Sequence, residues 1–89
     1  MIVTPLVNLN GTSAQELIDQ QSAIAEAADH LIKALSAAMP HGRDYHLKPG
    51  PENWTELARR EHAERIACAR IILSDAHAIA LSVMEQAKR

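Results

Sequence analysis

Between two long Ala-rich runs lies the stretch "PHGRDYHLKPGPEN", residues 40–53, whose Pro40, Gly42, Pro49, Gly50 and Pro51 forbid a continuous helix there. On either side of it apolar residues recur every three to four positions, the period of an amphipathic helix. A chain divided in this way returns its second helix against its first. The expected fold class is therefore all-α: an antiparallel helical hairpin, preceded by a short extended N-terminal segment and oligomerising through helix faces. The whole chain, 1–89, reads as one domain, with an extended arm over 1–11, a first helix over 12–39, a polar turn over 40–52 and a second helix over 53–88.

Residues 2–9, "IVTPLVNL", are β-branched and aliphatic with one proline, which suits an extended segment or an edge strand. Gly11 breaks that run, and Ser13 with Glu16 three positions later forms a capping box, Thr12 with Gln15 being the alternative one residue earlier. In the first helix Leu17, Ile24, Ala28, Leu31, Leu35 and Ala38 set an apolar stripe that Ile18, Ala25, Ile32 and Met39 widen. Gln21 sits in that seam or at its edge, and in the seam it would fix register at some cost in stability.

In the second helix His62, Ile66, Ala69, Leu73, Ala76, Ala80, Val83 and Ala87 alternate at threes and fours and are expected to face the first helix. A second line, Ala67, Ile71, Ser74, Ala78 and Leu81, is displaced around the axis, and one hairpin cannot cover both. With Tyr45 and Trp54 as its only aromatics and no Phe, a chain of 89 residues builds a thin interior. A homo-oligomer with that second line as its subunit interface is the natural remedy, since exposed aliphatic side chains each forgo roughly 1.5–3 kcal/mol.

The formal charge of −2 provides no basic field for a nucleic-acid polymer, and neither a short helix-turn-helix nor a basic recognition helix is visible. The lone Cys68 allows no intrachain disulfide, reads as a buried small hydrophobe and not a nucleophile, and fits a reducing, cytoplasmic setting. "MIVTPLVNLN" lacks the features of a signal peptide, and no stretch approaches the ~18 apolar residues of a membrane span, so no membrane association is expected. Five His are present without metal-ligand spacing, and no Ser or Cys stands in sequence beside a base and a carboxylate; no metal, no cofactor and no enzymatic activity are expected.

Anion or nucleotide binding is better supplied, by two segments. Asn10, Gly11, Thr12 and Ser13 offer the open backbone N–H groups of a helix start, close backbone approach and two hydroxyls. In the turn, Arg43 can grip a phosphate bidentately, Tyr45, His41 or His46 can stack on a ring, and Asp44 can orient Arg43 or accept from a base N–H. Arg59, Arg60 and His62 add positive charge beside the turn, or pair locally, as Arg60 can with Glu56 or Glu64. A turn in which Asp44 caps and Tyr45 packs is the structural alternative. The two segments fall at opposite ends of a helix about 40 Å long, so only two hairpins packed head to tail could join them into one site.

The order of arm, "LNGTS", Ala-rich helix, "HGRDY", Pro-Gly turn and a helix ending in "AHAIALSVMEQ" resembles small proteins encoded by tailed phages and prophages, over most of the chain. Their turn is often more aromatic than "YHLKPGP", where His46 follows Tyr45. The resemblance implies an anti-defence role in the host cytoplasm: sequestering a phosphorylated small molecule, such as a host immune nucleotide signal, at oligomer interfaces. The alternative it implies is an inhibitor or adaptor that binds a host protein through a helix face or the N-terminal segment.

Overall fold

The computed structural model describes residues 2–88; Met1, at the start of the expected arm, and Arg89 lie outside them. Two helices, α1 (Ala14–Ala37) and α2 (Trp54–Ala87), pack against each other as an antiparallel hairpin, with one 3-10 turn, Gly42–Asp44, between them. The hairpin is a rod of 61 × 22 × 18 Å. Its radius of gyration of 19.0 Å far exceeds the roughly 12 Å of a compact domain of this length.

Local chemistry sets the helix ends. Ser13 caps α1, its hydroxyl accepting from the Glu16 N–H at 3.1 Å, and the Asn53 side chain does the same for α2 through the Glu56 N–H. Each helix thus starts one or two residues inside the expected bounds, because the cap itself keeps non-helical backbone angles.

The α2 half of the seam is the expected one as far as Val83: His62, Ile66, Ala69, Ala76 and Val83 are buried, Leu73 and Ala80 half-buried, while Ala87 at the helix end, also expected there, is exposed. On α1 the seam is rotated from the expected stripe. Ala28 is buried and Leu17, Ile18, Gln21, Ala25, Ile32 and Leu35 are half-buried, whereas Ile24, Leu31, Ala38 and Met39 stay exposed. The expected stripe was wider than one partner helix can cover, so α1 presents one edge of it to α2 and leaves the other in the open.

The one deeply buried polar side chain among the described residues pins this seam. His62 on α2 donates from Nε2 to the main-chain carbonyl of Leu35 on α1, which also accepts from the Ala38 N–H. That fixes the register of the hairpin from a carbonyl that the end of α1 would otherwise leave half used.

The arm forms no strand; no strand occurs among the described residues. Instead Gln86 of α2 holds it from both sides, its amide oxygen accepting from the Val7 N–H at 2.8 Å and its NH2 donating to the Pro5 carbonyl at 2.9 Å. An Asn8–Gly11 turn then leads into α1, with the Asn8 side chain accepting from the Asn10 N–H. The line Ala67, Ile71, Ser74, Ala78 and Leu81 is exposed along its length, Ile71 at 60% and Leu81 at 58%.

An 18-residue window of α2 reaches a mean hydropathy of 1.6 and is apolar enough, by length and composition, to cross a membrane. Arg70 and Asp75 interrupt the apolar residues of α2, so it holds no unbroken run of ~18 of them. Alanine raises the average without supplying such a run.

Replacing His62 by Ala removes the pin and opens a cavity in the seam, at a cost of about 2–4 kcal/mol. The circular-dichroism melting midpoint should fall by roughly 10 °C or more; an unchanged midpoint would contradict the role given to His62.

Candidate functional site

Two imidazoles bracket Arg43. His41 accepts from the Arg43 N–H through Nδ1 at 3.2 Å, and the His46 Nδ1 lies 3.2 Å from the Arg43 carbonyl, to which it can only donate. The two rings therefore carry their protons on opposite nitrogens: Nε2 in His41 and Nδ1 in His46. Between them the Gly42–Asp44 turn closes with the Asp44 N–H on the His41 carbonyl and the Tyr45 N–H on that of Gly42. The Arg43 peptide is held at both ends while its side chain is exposed and makes no ion pair among the described residues. Asp44 is exposed too, with no bond to Arg43, so the expected orienting role is not made here.

The far side of the turn is locked by Trp54. Its indole N–H donates to the Pro49 carbonyl at 3.0 Å, and the ring lies against Gly50, whose φ of 123° favours glycine. A Cβ built on Gly50 would meet the ring at 3.2 Å. The Lys48 ammonium sits 4.9 Å from the centre of the same ring, a cation–π contact.

Tyr45 and Trp54 border a recess of about 500 Å3 against the first turns of α2, completed by Lys48, Leu57, Ala58, Arg60, Glu61 and Glu64. This volume is within the range that accepts small organic ligands. Two aromatic walls can take a planar ring, Lys48 and Arg60 can take a negative charge, and Glu61 and Glu64 can accept N–H groups. Arg60 lies 3.6 Å from Glu56 at its own surface, one of the pairings open in the sequence.

Of the residues expected in the turn and its adjoining cations, Tyr45 and Arg60 line this recess. His41 and His46 shape the backbone, and Arg59 reaches from α2 to the Pro40 carbonyl at 3.1 Å, placing its cation at the negative end of α1. Asn10, Gly11, Thr12 and Ser13 lie at the other end of α1, about 36 Å away along its 24 residues. Gly11 there has ordinary negative φ, and its open side is occupied by the Asn8 side chain at 3.1 Å. Sequence reasoning missed Lys48, Trp54, Leu57, Glu61 and Glu64. The positions 54, 57, 58, 61 and 64 share one helical face, a spacing that could have identified the wall.

Among the described residues no group of three His, Cys, Asp or Glu is placed to hold a metal ion. Cys68, expected to be a buried small hydrophobe, is instead exposed, in a second groove with Leu31, Leu35, Ile72, Glu61, Glu64 and Arg65 that continues from the recess along α1 and α2, because it lies off the face that α2 turns to α1.

Gly50→Ala should strain the turn and push the indole away, destabilising the protein by about 1–3 kcal/mol. Trp54 is the single tryptophan, so its emission should move to longer wavelength; an unaltered spectrum and melting curve would show that the Gly50–Trp54 contact is dispensable.

No protein-family model, no curated protein and no solved structure matches the chain.

Proposed function

We propose that the chain is a non-enzymatic binding protein that takes a phosphorylated small molecule carrying a planar ring, working as a homo-oligomer. The observation that carries this reading is the aromatic recess of Tyr45 and Trp54, with Lys48 and Arg60 at its rim and, two residues from Tyr45, the exposed Arg43 guanidinium, which makes no ion pair among the described residues. The ring would lie against the aromatic walls and the phosphate against the cations. The resemblance of "LNGTS" and "HGRDY" to phage proteins favours a host immune nucleotide signal as the ligand, sequestered in the host cytoplasm.

Titration of Trp54 fluorescence tests the reading, with nucleoside monophosphates, linear dinucleotides and cyclic dinucleotides as probes. At least one should give a saturable change, and Arg43→Ala should weaken it roughly 10- to 100-fold, the worth of a charge-assisted hydrogen bond, with helicity unchanged. No response across the panel, or equal affinity in the variant, would contradict it.

One observation favours a second reading, capture of a host protein. The arm exposes Val3, Leu6 and Leu9 and pairs with no strand among the described residues, and a partner strand would add to it by replacing the bonds of Val7 and Pro5 to Gln86. Under that reading, deleting residues 1–9 should abolish capture of a partner in a pull-down, while Arg43→Ala should leave it intact. The opposite pattern would return the function to the turn.

A further inference from the structure

α1 carries a second seam beside the one it uses. Gln20, Ile24, Ala27, Leu31, Ala34 and Ala38 follow one another at fours and threes, the spacing of a coiled-coil stripe, and all six are exposed. Ile24 and Leu31 keep 42% and 47% of their surface in the open. At about 100° per residue this strip lies on one flank of the seam with α2, and Asp19, Glu26, Asp29 and Lys33 fall on the other flank. Lys33 and Asp29 pair there at 2.9 Å. On α1 itself Glu16, at the helix start, borders the strip, and from α2 Glu61, Glu64 and Arg65 line the groove beside Leu31. From α2, Ile72, 48% exposed, joins Ile24, Ala27, Ala28 and Leu31 around a shallow depression of about 250 Å3.

We propose that this strip binds a second copy of the chain, with the two α1 helices antiparallel, to form a four-helix bundle. This deepens the binding-protein reading and rests on that reading only for the ligand. The strip is self-complementary under a two-fold rotation: Ile24 and Leu31 stand about one turn to either side of Ala27, so an axis through Ala27 sets each Ile24 against the partner's Leu31. Alanine at the axis lets the two backbones approach closely. The six strip positions of α1 carry no charge, which fits an apolar partner surface, and Glu61, Glu64 and Arg65 of α2 form a polar rim beside it.

The exposed area agrees. The chain presents 6710 Å2 to solvent, where a folded monomer of 9.7 kDa presents about 5,100 Å2. The excess of about 1,600 Å2 is twice the ~800 Å2 that each partner contributes to a standard interface. One face can therefore be filled by this pairing, and the line through Ile71 and Leu81 remains for another.

The same rotation closes the gap between the two candidate binding segments. His62 is level with Leu35, which puts Ala27 level with about residue 70 of α2 and Trp54 about 24 Å away along the rod. Rotation about Ala27 carries the partner's Trp54 the same distance to the other side, level with Gly11 to Ser13. The recess of one copy then lies beside the α1 start of the other, and the ligand site is shared between subunits.

Sedimentation velocity and cysteine cross-linking in a Cys68→Ser background test this. The unmodified chain should sediment as a dimer or an even-numbered assembly. Ala27→Cys should oxidise to a covalent dimer, since equivalent positions on the axis approach within the ~4.4–6.8 Å between Cα atoms that a disulfide spans. A monomer at micromolar concentration, or Ala27→Cys that stays reduced while Ser74→Cys cross-links, would overturn the proposal. A cross-linked Ala27→Cys dimer with no nucleotide response by Trp54 would leave this interface standing and defeat the ligand reading instead.

Discussion

A two-helix chain has a single internal seam, and here few of its residues are fully buried, three of the five hydrophobic ones being alanine. Ala28, Ile66, Ala69, Ala76 and Val83 are the buried hydrophobic residues, and His62 stands among them bonded to the end of α1. Small side chains bring the helices close but bury little apolar area for each residue ordered, so register rests heavily on the imidazole–carbonyl bond. Every other feature follows from that thinness: the rod shape, the uncovered flank of α1, the exposed line on α2, and an arm held by one glutamine side chain in place of a sheet.

The aromatic residues that the seam lacks are placed in the turn. Tyr45 and Trp54 sit beside helix-breaking glycine and prolines, fixed by an indole–carbonyl bond, a close approach to Gly50 and a cation over the ring. Polar chemistry is arranged there with the same economy. Two imidazoles hold the Arg43 backbone, Arg59 holds Pro40, and the Arg43 side chain makes no ion pair among the described residues. A turn used only to reverse the chain needs neither a cation projected outward from a fixed backbone nor an aromatic recess beside it.

Much of the hairpin is legible in the sequence because its signals are local. Proline and glycine place the turn, Ser13 and Asn53 start the helices, and the threes and fours from His62 to Val83 trace the α2 seam residue by residue. On α1 the periodicity is ambiguous, since two adjacent stripes satisfy it and only the partner helix decides which is used. The arm defeats a local reading for the opposite reason: residues 5–7 are held by Gln86, far away in the chain, which no pattern within residues 2–9 encodes. In the site, residue types are legible and their tasks are not. His41 and His46 look like ligand groups until their bonds to the neighbouring backbone are seen, while Lys48 and Trp54 acquire their meaning from the way the Pro-Gly turn folds back on α2.

We propose that this thin hairpin assembles with copies of itself and thereby completes a site for a phosphorylated ligand. Native mass spectrometry of protein purified directly from bacterial lysate tests it in one spectrum. The expected result is an even-numbered oligomer carrying nucleotide-sized extra mass that is lost on collisional activation. A bare monomer, unchanged when offered cyclic and linear nucleotides, would contradict it.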